Sequence, residues 1–271
     1  NLYSNIVLPE WLNRSNLSRE DRALATELVY GSLRMRGRHD SLISKVSTRS
    51  LGDIDQKVLI CLRIGINQLT QMRIPSHAAI FETVELAKRV VGQSSGTFVN
   101  AILRSIDGTT SNEVALNSTS IEDLATEYSH PEWIISSYMD SLKSKTEVIK
   151  LLQANNKAAS PNLVAWPGLS TLDELISSGA DILSGSRNGA VFDGNPGEIP
   201  AVRERRAGVQ DLGSQIVVEK FLDTFEDGLR WLDMCAGPGG KAAYISAFIE
   251  QNSGDFIANE ISEHRAALVN Q

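Results

Sequence analysis

Cysteine is scarce in this chain. Cys61 and Cys235 are the only two among 271 residues, they lie in different segments, and they make no metal-ligand pattern. Long apolar runs are missing as well. None approaches the roughly 18 residues that a membrane span needs. No charged head followed by an apolar core opens the chain, as a signal peptide would. These absences predict a cytoplasmic protein with free thiols, no metal and no membrane contact. There is no overall basic charge either. The net charge is −7, but residues 1–110 carry 14 Lys/Arg against 10 Asp/Glu, and the remainder 12 against 23. A mildly basic first part on an acidic remainder is compatible with nucleic-acid contact by the first part. Apolar content of 42% and charged content of 22% are ordinary for globular proteins. The length allows two or three domains.

The most informative stretch is Leu229 to Lys241. A short apolar run stops at Asp233, a glycine-rich turn follows, and an amphipathic run begins at Ala242. This reads as strand, tight turn and helix. In an open α/β sheet such a turn lies where ligands bind, and the free N–H groups at the new helix's start face the ligand. The phosphate-binding P-loop template is absent, because Cys235 stands where it needs glycine and Ala242 where it needs Ser or Thr. Residues 237–242 do fit the dinucleotide template G-x-G-x-x-G/A, and Glu260 follows where that template wants an acid for a ribose hydroxyl. At this point the cofactor is either a dinucleotide or S-adenosylmethionine.

Residues 1–110 read as helices. Ser18 and Asp21 form a capping pair before Ala23, Leu24, Leu28 and Val29. Stripes at helical spacing follow: Val58, Leu62, Ile66, Leu69, then Ile80, Val84, Ala87, Val91, then Val99, Ile102, Leu103, Ile106. Short connections between them suggest a bundle. Residues 108–120 are polar and read as a linker. Helix returns from Ile121 to Gln153, broken at His130-Pro131, with Trp133, Ile134 and Tyr138 as a core face. Residues 161–207 read as a small α+β module, with a strand at Leu163–Trp166 and a Thr171-capped helix. A helix carrying Ile216, Val217, Phe221 and Leu222 leads to the glycine turn. A second short strand ends at Asn259-Glu260.

Arginine clusters are candidates for RNA phosphate. Arg34, Arg36 and Arg38 alternate after Gly31, and guanidinium suits phosphate. Lys88, Arg89 and Arg104 lie late in their helices, where cations also favour the carbonyl end of the dipole. Arg203, Arg205 and Arg206 sit before the glycine turn and could line a substrate path. His77 is given no role.

Several segments together resemble one family. Asp233-Met-Cys-Ala-Gly-Pro-Gly-Gly-Lys241 looks like the cofactor motif of the Sun-type (RsmB-like) RNA 5-methylcytosine methyltransferases. Val209-Gln-Asp-Leu-Gly-Ser-Gln215 and Asn259-Glu-Ile-Ser-Glu-His-Arg265 resemble their flanking motifs. Ala25-Thr-Glu-Leu-Val-Tyr-Gly-Ser-Leu-Arg34 and Phe98-Val-Asn-Ala-Ile-Leu-Arg104 resemble the NusB-type RNA-binding domain at the front of the bacterial rRNA enzymes. The resemblance implies an all-α NusB-like bundle over 1–110. Linker helices and a small α+β module would follow over 111–207, then an incomplete Rossmann-like methyltransferase domain over 208–271. It implies S-adenosylmethionine, held by Cys235, Ala236, Gly237, Pro238, Gly239, Gly240 and Lys241 at the methionine end and by Glu260 at the ribose. It favours small-subunit (16S) rRNA as partner.

The resemblance also implies covalent catalysis, in which a cysteine thiolate adds to cytosine carbon 6 and so activates carbon 5 toward the methyl group. The family's nucleophile sits in later Pro-Cys and Thr-Cys motifs, and this chain has neither. Cys235 belongs to the cofactor turn and Cys61 to a helix stripe. The expectation is therefore a chain without its catalytic cysteine, inactive by itself. A non-enzymatic NusB-like RNA-binding protein and an NAD-dependent oxidoreductase remain the alternatives. Pro238 and the helical first part argue against the second of these.

Overall fold

The computed structural model describes residues 3–110 and 120–270. The chain forms two compact units, Asn1–Lys157 and Ala158–Gln271. Most of the polar stretch read as a linker lies outside the described residues, and the preceding helix runs on to Thr110.

The first unit is helical. Its helices are α1 (Ser4–Arg14), α2 (Arg19–Arg34), α3 (Arg36–Val46), α4 (Gln56–Gln71), α5 (Ser76–Val90), α6 (Gln93–Thr110), α7 (Ile121–Tyr128), α8 (Glu132–Leu142) and α9 (Lys145–Asn155). Ser18 caps α2 through the Asp21 N–H, as its sequence predicts, and Asp55 caps α4. The predicted stripes supply the main core, with Leu62, Ile66, Val99, Leu103 and Ile106 buried in it, except that Val91, just past the end of α5, is 39% exposed. Leu124, Ile135, Val148 and Leu152 form a second core among α7, α8 and α9.

Two expected faces are corrected. Leu24 is 43% exposed, and the buried residues of α2 are Gly31 and Ser32, where a Cβ on Gly31 would lie 2.7 Å from Asn67 Nδ2 of α4. In α8 the buried residue is Ile135, with Tyr138 and Met139 against the same core, while Trp133 is 73% exposed. Residues three and four apart share a helix face, so Ile135 selects 138 and 139 and turns Trp133 outward. The helical segment also breaks a second time, at Lys143 with φ +51°, before Ser144 caps α9.

The second unit begins with a four-stranded antiparallel sheet in the order β2-β3-β1-β4, made of β1 (Asn162–Ala165), β2 (Asp181–Ile182), β3 (Gly189–Val191) and β4 (Ala207–Val209). Two short helices, α10 (Leu172–Ser177) and α11 (Pro200–Arg203), complete this module. Alternation along β1 sends Leu163 and Ala165 into the module's own core and Val164 to the opposite side. There Val164 meets α12 (Leu212–Leu222) and α13 (Gly240–Gln251) through Val218, Tyr244 and Ile245. The buried face of α12 is Gln215, Val218, Glu219 and Leu222. Of the apolar residues read onto this helix, Val217 is 60% and Ile216 37% exposed.

Strands β5 (Arg230–Asp233) and β6 (Asp255–Ala258) pair in parallel, with α13 between them in the chain. Helix α14 (Glu263–Val269) follows. This is one β-α-β unit with the glycine turn at the end of its first strand. Trp231 fastens it from below, edge-on to Phe221 at 5.0 Å and stacked on Phe225 at 5.7 Å.

Candidate functional site

β5 and β6 run in register from Arg230 opposite Asp255 to Asp233 opposite Ala258, so both strands end side by side. Main-chain bonds then tie the two exits together. Asn259 N–H donates to Asp233 O at 2.8 Å, and Ala236 N–H donates to Asn259 O at 2.9 Å. Asp233 Oδ1 accepts from Cys235 N–H at 2.9 Å, so the polar residue that stops the strand also shapes the turn.

Gly239 has φ +115° and caps α13, with no side chain capping the helix's first turn. Left-handed backbone of this kind suits glycine, and a Cβ here would also lie 3.3 Å from Val269 Cα. Gly237 is needed for a different reason. A Cβ there would land on Glu260 Oε2 and within 2.8 Å of Arg265 Cβ. At Gly240 a Cβ would meet nothing within 4 Å, so the turn is open on that side.

The acid on the neighbouring strand closes the arrangement. Glu260 Oε2 accepts from Gly237 N–H at 3.1 Å, and Oε1 accepts from Ser262 N–H at 2.8 Å. Arg265 Nη2 lies 2.9 Å from Oε1, and the Glu260 side chain is only 3% exposed. The Ser262 N–H, then Arg265 and the Gly237 N–H, hold this carboxyl below the usual range, against burial, which raises it. The structure therefore brings Gly237 and Glu260 into contact, as a glycine turn with a strand-end acid requires. Ala236 is buried, and Cys235, Pro238 and Lys241 are exposed along the turn. Cys61 is a core residue, and burial pushes its thiol up.

From sequence, Asp233 is read only as the residue that stops the strand, and Ser262 and Arg265 lie in a flanking motif without a role at the site. The available signal was the position of Arg265 in the first turn of a helix capped just after an acid, which returns its side chain to that acid.

The Val209–Gln215 segment works as a joint. Asp211 caps α12, and the buried Gln215 donates to Leu163 O at 3.1 Å and Gln210 O at 2.7 Å. It thereby ties β1, β4 and α12 together.

The candidate arginines divide by what they touch. Arg34 is half-buried at the end of α2, and Arg36 is exposed with Nε 3.7 Å from Asp40. Arg38 turns inward, donating to Glu127 Oε1 at 2.5 Å and joining α3 to α7. In the second unit Arg203 ends α11 and is exposed, and Arg205 is exposed at φ +58°. Arg206 forms a fork with Glu174, at 2.6 and 2.7 Å, and also reaches Glu204. These carboxylates hold its guanidinium in the charged form and commit it to the module. A groove of about 500 Å³ lies between α5 and α6, lined by His77, Phe81, Lys88 and Arg104 among others. Among the described residues no cluster suits a metal ion, and no helix is long and apolar enough to cross a membrane.

Residues 1–107 match the NusB family, and residues 221–271 match the family described as 16S rRNA methyltransferase RsmB/F. A Mycobacterium tuberculosis relative, whose name assigns a methyltransferase and no substrate, is 36% identical over 99% of this chain and 61% of its own length. A Vibrio vulnificus relative named ribosomal RNA small subunit methyltransferase B is 29% identical over 98% of this chain and 62% of its own. Among solved structures, the crystal structure of PH0851 has a TM-score of 0.68 at 17% identity, covering 96% of this chain and 59% of that one. This last likeness is one of fold. The chain spans 61% of the first of these relatives.

Proposed function

We propose that this chain, which joins a NusB-family region to an RsmB/F-type 16S rRNA methyltransferase region, serves S-adenosylmethionine-dependent methylation of cytosine carbon 5 in small-subunit rRNA. The observation that carries the reading is the contact between a glycine turn and a strand-end acid on adjacent parallel strands. The residues present fit this cofactor. Residues 235–239 shape the turn, the N–H groups of Cys235, Ala236, Gly237 and Gly239 being used within the protein. The N–H groups of Gly240 and Lys241 at the start of α13, with the open side at Gly240, face its carboxylate end. Glu260, held ionised, suits the hydroxyls of its ribose. When bound, S-adenosylmethionine supplies an electrophilic methyl group. The chain's own residues hold and orient it, and we assign none of them as the nucleophile. Cys235 shapes the turn.

The division we propose places RNA recognition in residues 1–110, a connector and module in 111–207, and the cofactor in 208–271. Arg34 and Arg36 are the phosphate contacts in the first part, and Arg203 the one ahead of the turn. Arg38 and Arg206 act by fixing their neighbours, since each guanidinium is engaged by carboxylates.

Calorimetric titration with S-adenosylmethionine is expected to give saturable heat, and NAD none. Tight NAD binding with no response to S-adenosylmethionine would overturn the assignment. For RNA, changing Arg34 and Arg36 together to Ala is expected to flatten the dependence of log affinity on log salt by about 0.7 to 0.9 for each phosphate no longer neutralised. An unchanged slope would make these arginines a solvated face.

A further inference from the structure

The acid assigned to the ribose is sealed. A carboxylate offers about four lone-pair positions, and three are filled on Glu260. The N–H of Ser262 and the guanidinium of Arg265 share Oε1, and the N–H of Gly237 occupies Oε2. At 3% exposure the side chain leaves no path for two adjacent hydroxyls. One of its donors has to leave before a ribose can bind. Two of the three are main-chain groups held in place by the turn and by the exit of β6. The third is a side chain, 51% exposed, at the beginning of α14. Its Cβ packs toward Gly237, so the stem can stay while the guanidinium rotates into water.

We propose that Arg265 is a displaceable latch on Glu260, occupying the carboxylate until ribose hydroxyls take its place. The proposal rests on the S-adenosylmethionine reading and adds to it a cost of opening. A ligand that must break an ion pair before it binds shows an affinity reduced by the fraction of molecules already open. The main-chain bonds from Ser262 and Gly237 keep the acid aimed throughout, so Arg265 is not needed to orient it.

The test is calorimetric titration of the whole chain with S-adenosylhomocysteine, which has the ribose and no sulfonium charge. Wild type is compared with Arg265→Gln and Arg265→Lys at low and high salt. Arg265→Gln is expected to bind about three- to tenfold tighter, the range for releasing a partly exposed charged pair. Arg265→Lys should fall between it and wild type. Wild-type affinity should rise with salt, because screening weakens the latch, while that of Arg265→Gln stays flat. Binding by Arg265→Gln that is equal or weaker would overturn the latch and leave the cofactor reading intact. Should Arg265→Gln fail to fold, the salt trend of wild type and the Arg265→Lys affinity decide in the same directions. Absence of binding by wild type itself would remove the cofactor reading, and the latch with it.

Discussion

Gly239→Val is expected to abolish S-adenosylmethionine binding while the helical unit keeps its stability. Three effects act together at this position. The backbone stands at φ +115°, where a β-branched residue is strained by about 1–3 kcal/mol. The new side chain would meet Val269 from a Cβ already 3.3 Å from its Cα. The turn would have to re-form, and the N–H groups at the start of α13 would lose their aim. A loss of about a hundredfold or more follows if the turn distorts by the full strain. Gly240→Ala is the matching control, since a Cβ there meets nothing in the protein within 4 Å. Its fold should survive, and any loss of affinity it shows reports a ligand lying against that residue. Calorimetry on both variants, beside a thermal melt, separates the cases. Unchanged affinity in Gly239→Val would mean that the turn is not the cofactor site.

Mild acid is expected to weaken the helical unit through one residue. His39 is fully buried in α3, and neither ring nitrogen has a partner among the described residues. Burial, with Arg38 and Arg63 nearby, lowers its pKa from 6.5 to about 4 against the opposing pull of Asp40. In the unfolded chain the ring takes up a proton near pH 6.5, whereas in the folded chain it stays neutral until about pH 4. Between those values the unfolded state binds more protons, so stability falls as pH drops through this window and is unaffected above it. The gap corresponds to about 3 kcal/mol. His39→Leu removes the titrating ring and is expected to lose markedly less stability between neutral pH and pH about 4.5. Urea denaturation followed by helical signal would measure both proteins. An equal loss in both would assign the acid sensitivity to carboxylates instead.

How far the sequence could be read varied with the range of the interaction. The glycine turn was legible because strand, turn and helix follow one another directly, and because an acid at the next strand's exit lies in the same β-α-β unit. The stripes of α4, α5 and α6 were legible because periodicity is local. Trp133, Leu24 and Val217 misled because apolar character alone does not set the phase of a short helix. Ile135 and Val218 set it, through packing partners on other elements. The arginines show the same limit. Arg38 and its partner Glu127 are 89 residues apart, and Arg206 and Glu174 are 32 apart. No local pattern distinguishes a guanidinium spent on a distant carboxylate from one left for phosphate. The burial of His39 was equally hidden, since the residue sits between two charged neighbours, Arg38 and Asp40, in the sequence.

The small sheet keeps a core of its own on one face and shares a second interior with the glycine-turn helix on the other. Val164 reaches that interior from β1, and Asn188 donates to the hydroxyl of Tyr244 at 3.0 Å. That hydroxyl in turn reaches Glu219, which also receives the Ser186 hydroxyl and the Arg187 N–H. The two parts therefore make one cooperative folding element. Excising residues 158–207 would strip α13 of part of its floor, and the turn at its head would lose rigidity although no residue of the turn had been touched. A dinucleotide-like loop is often treated as portable. This one is anchored by a module that carries none of the proposed cofactor contacts, and the module's mutational sensitivity should track that of the turn.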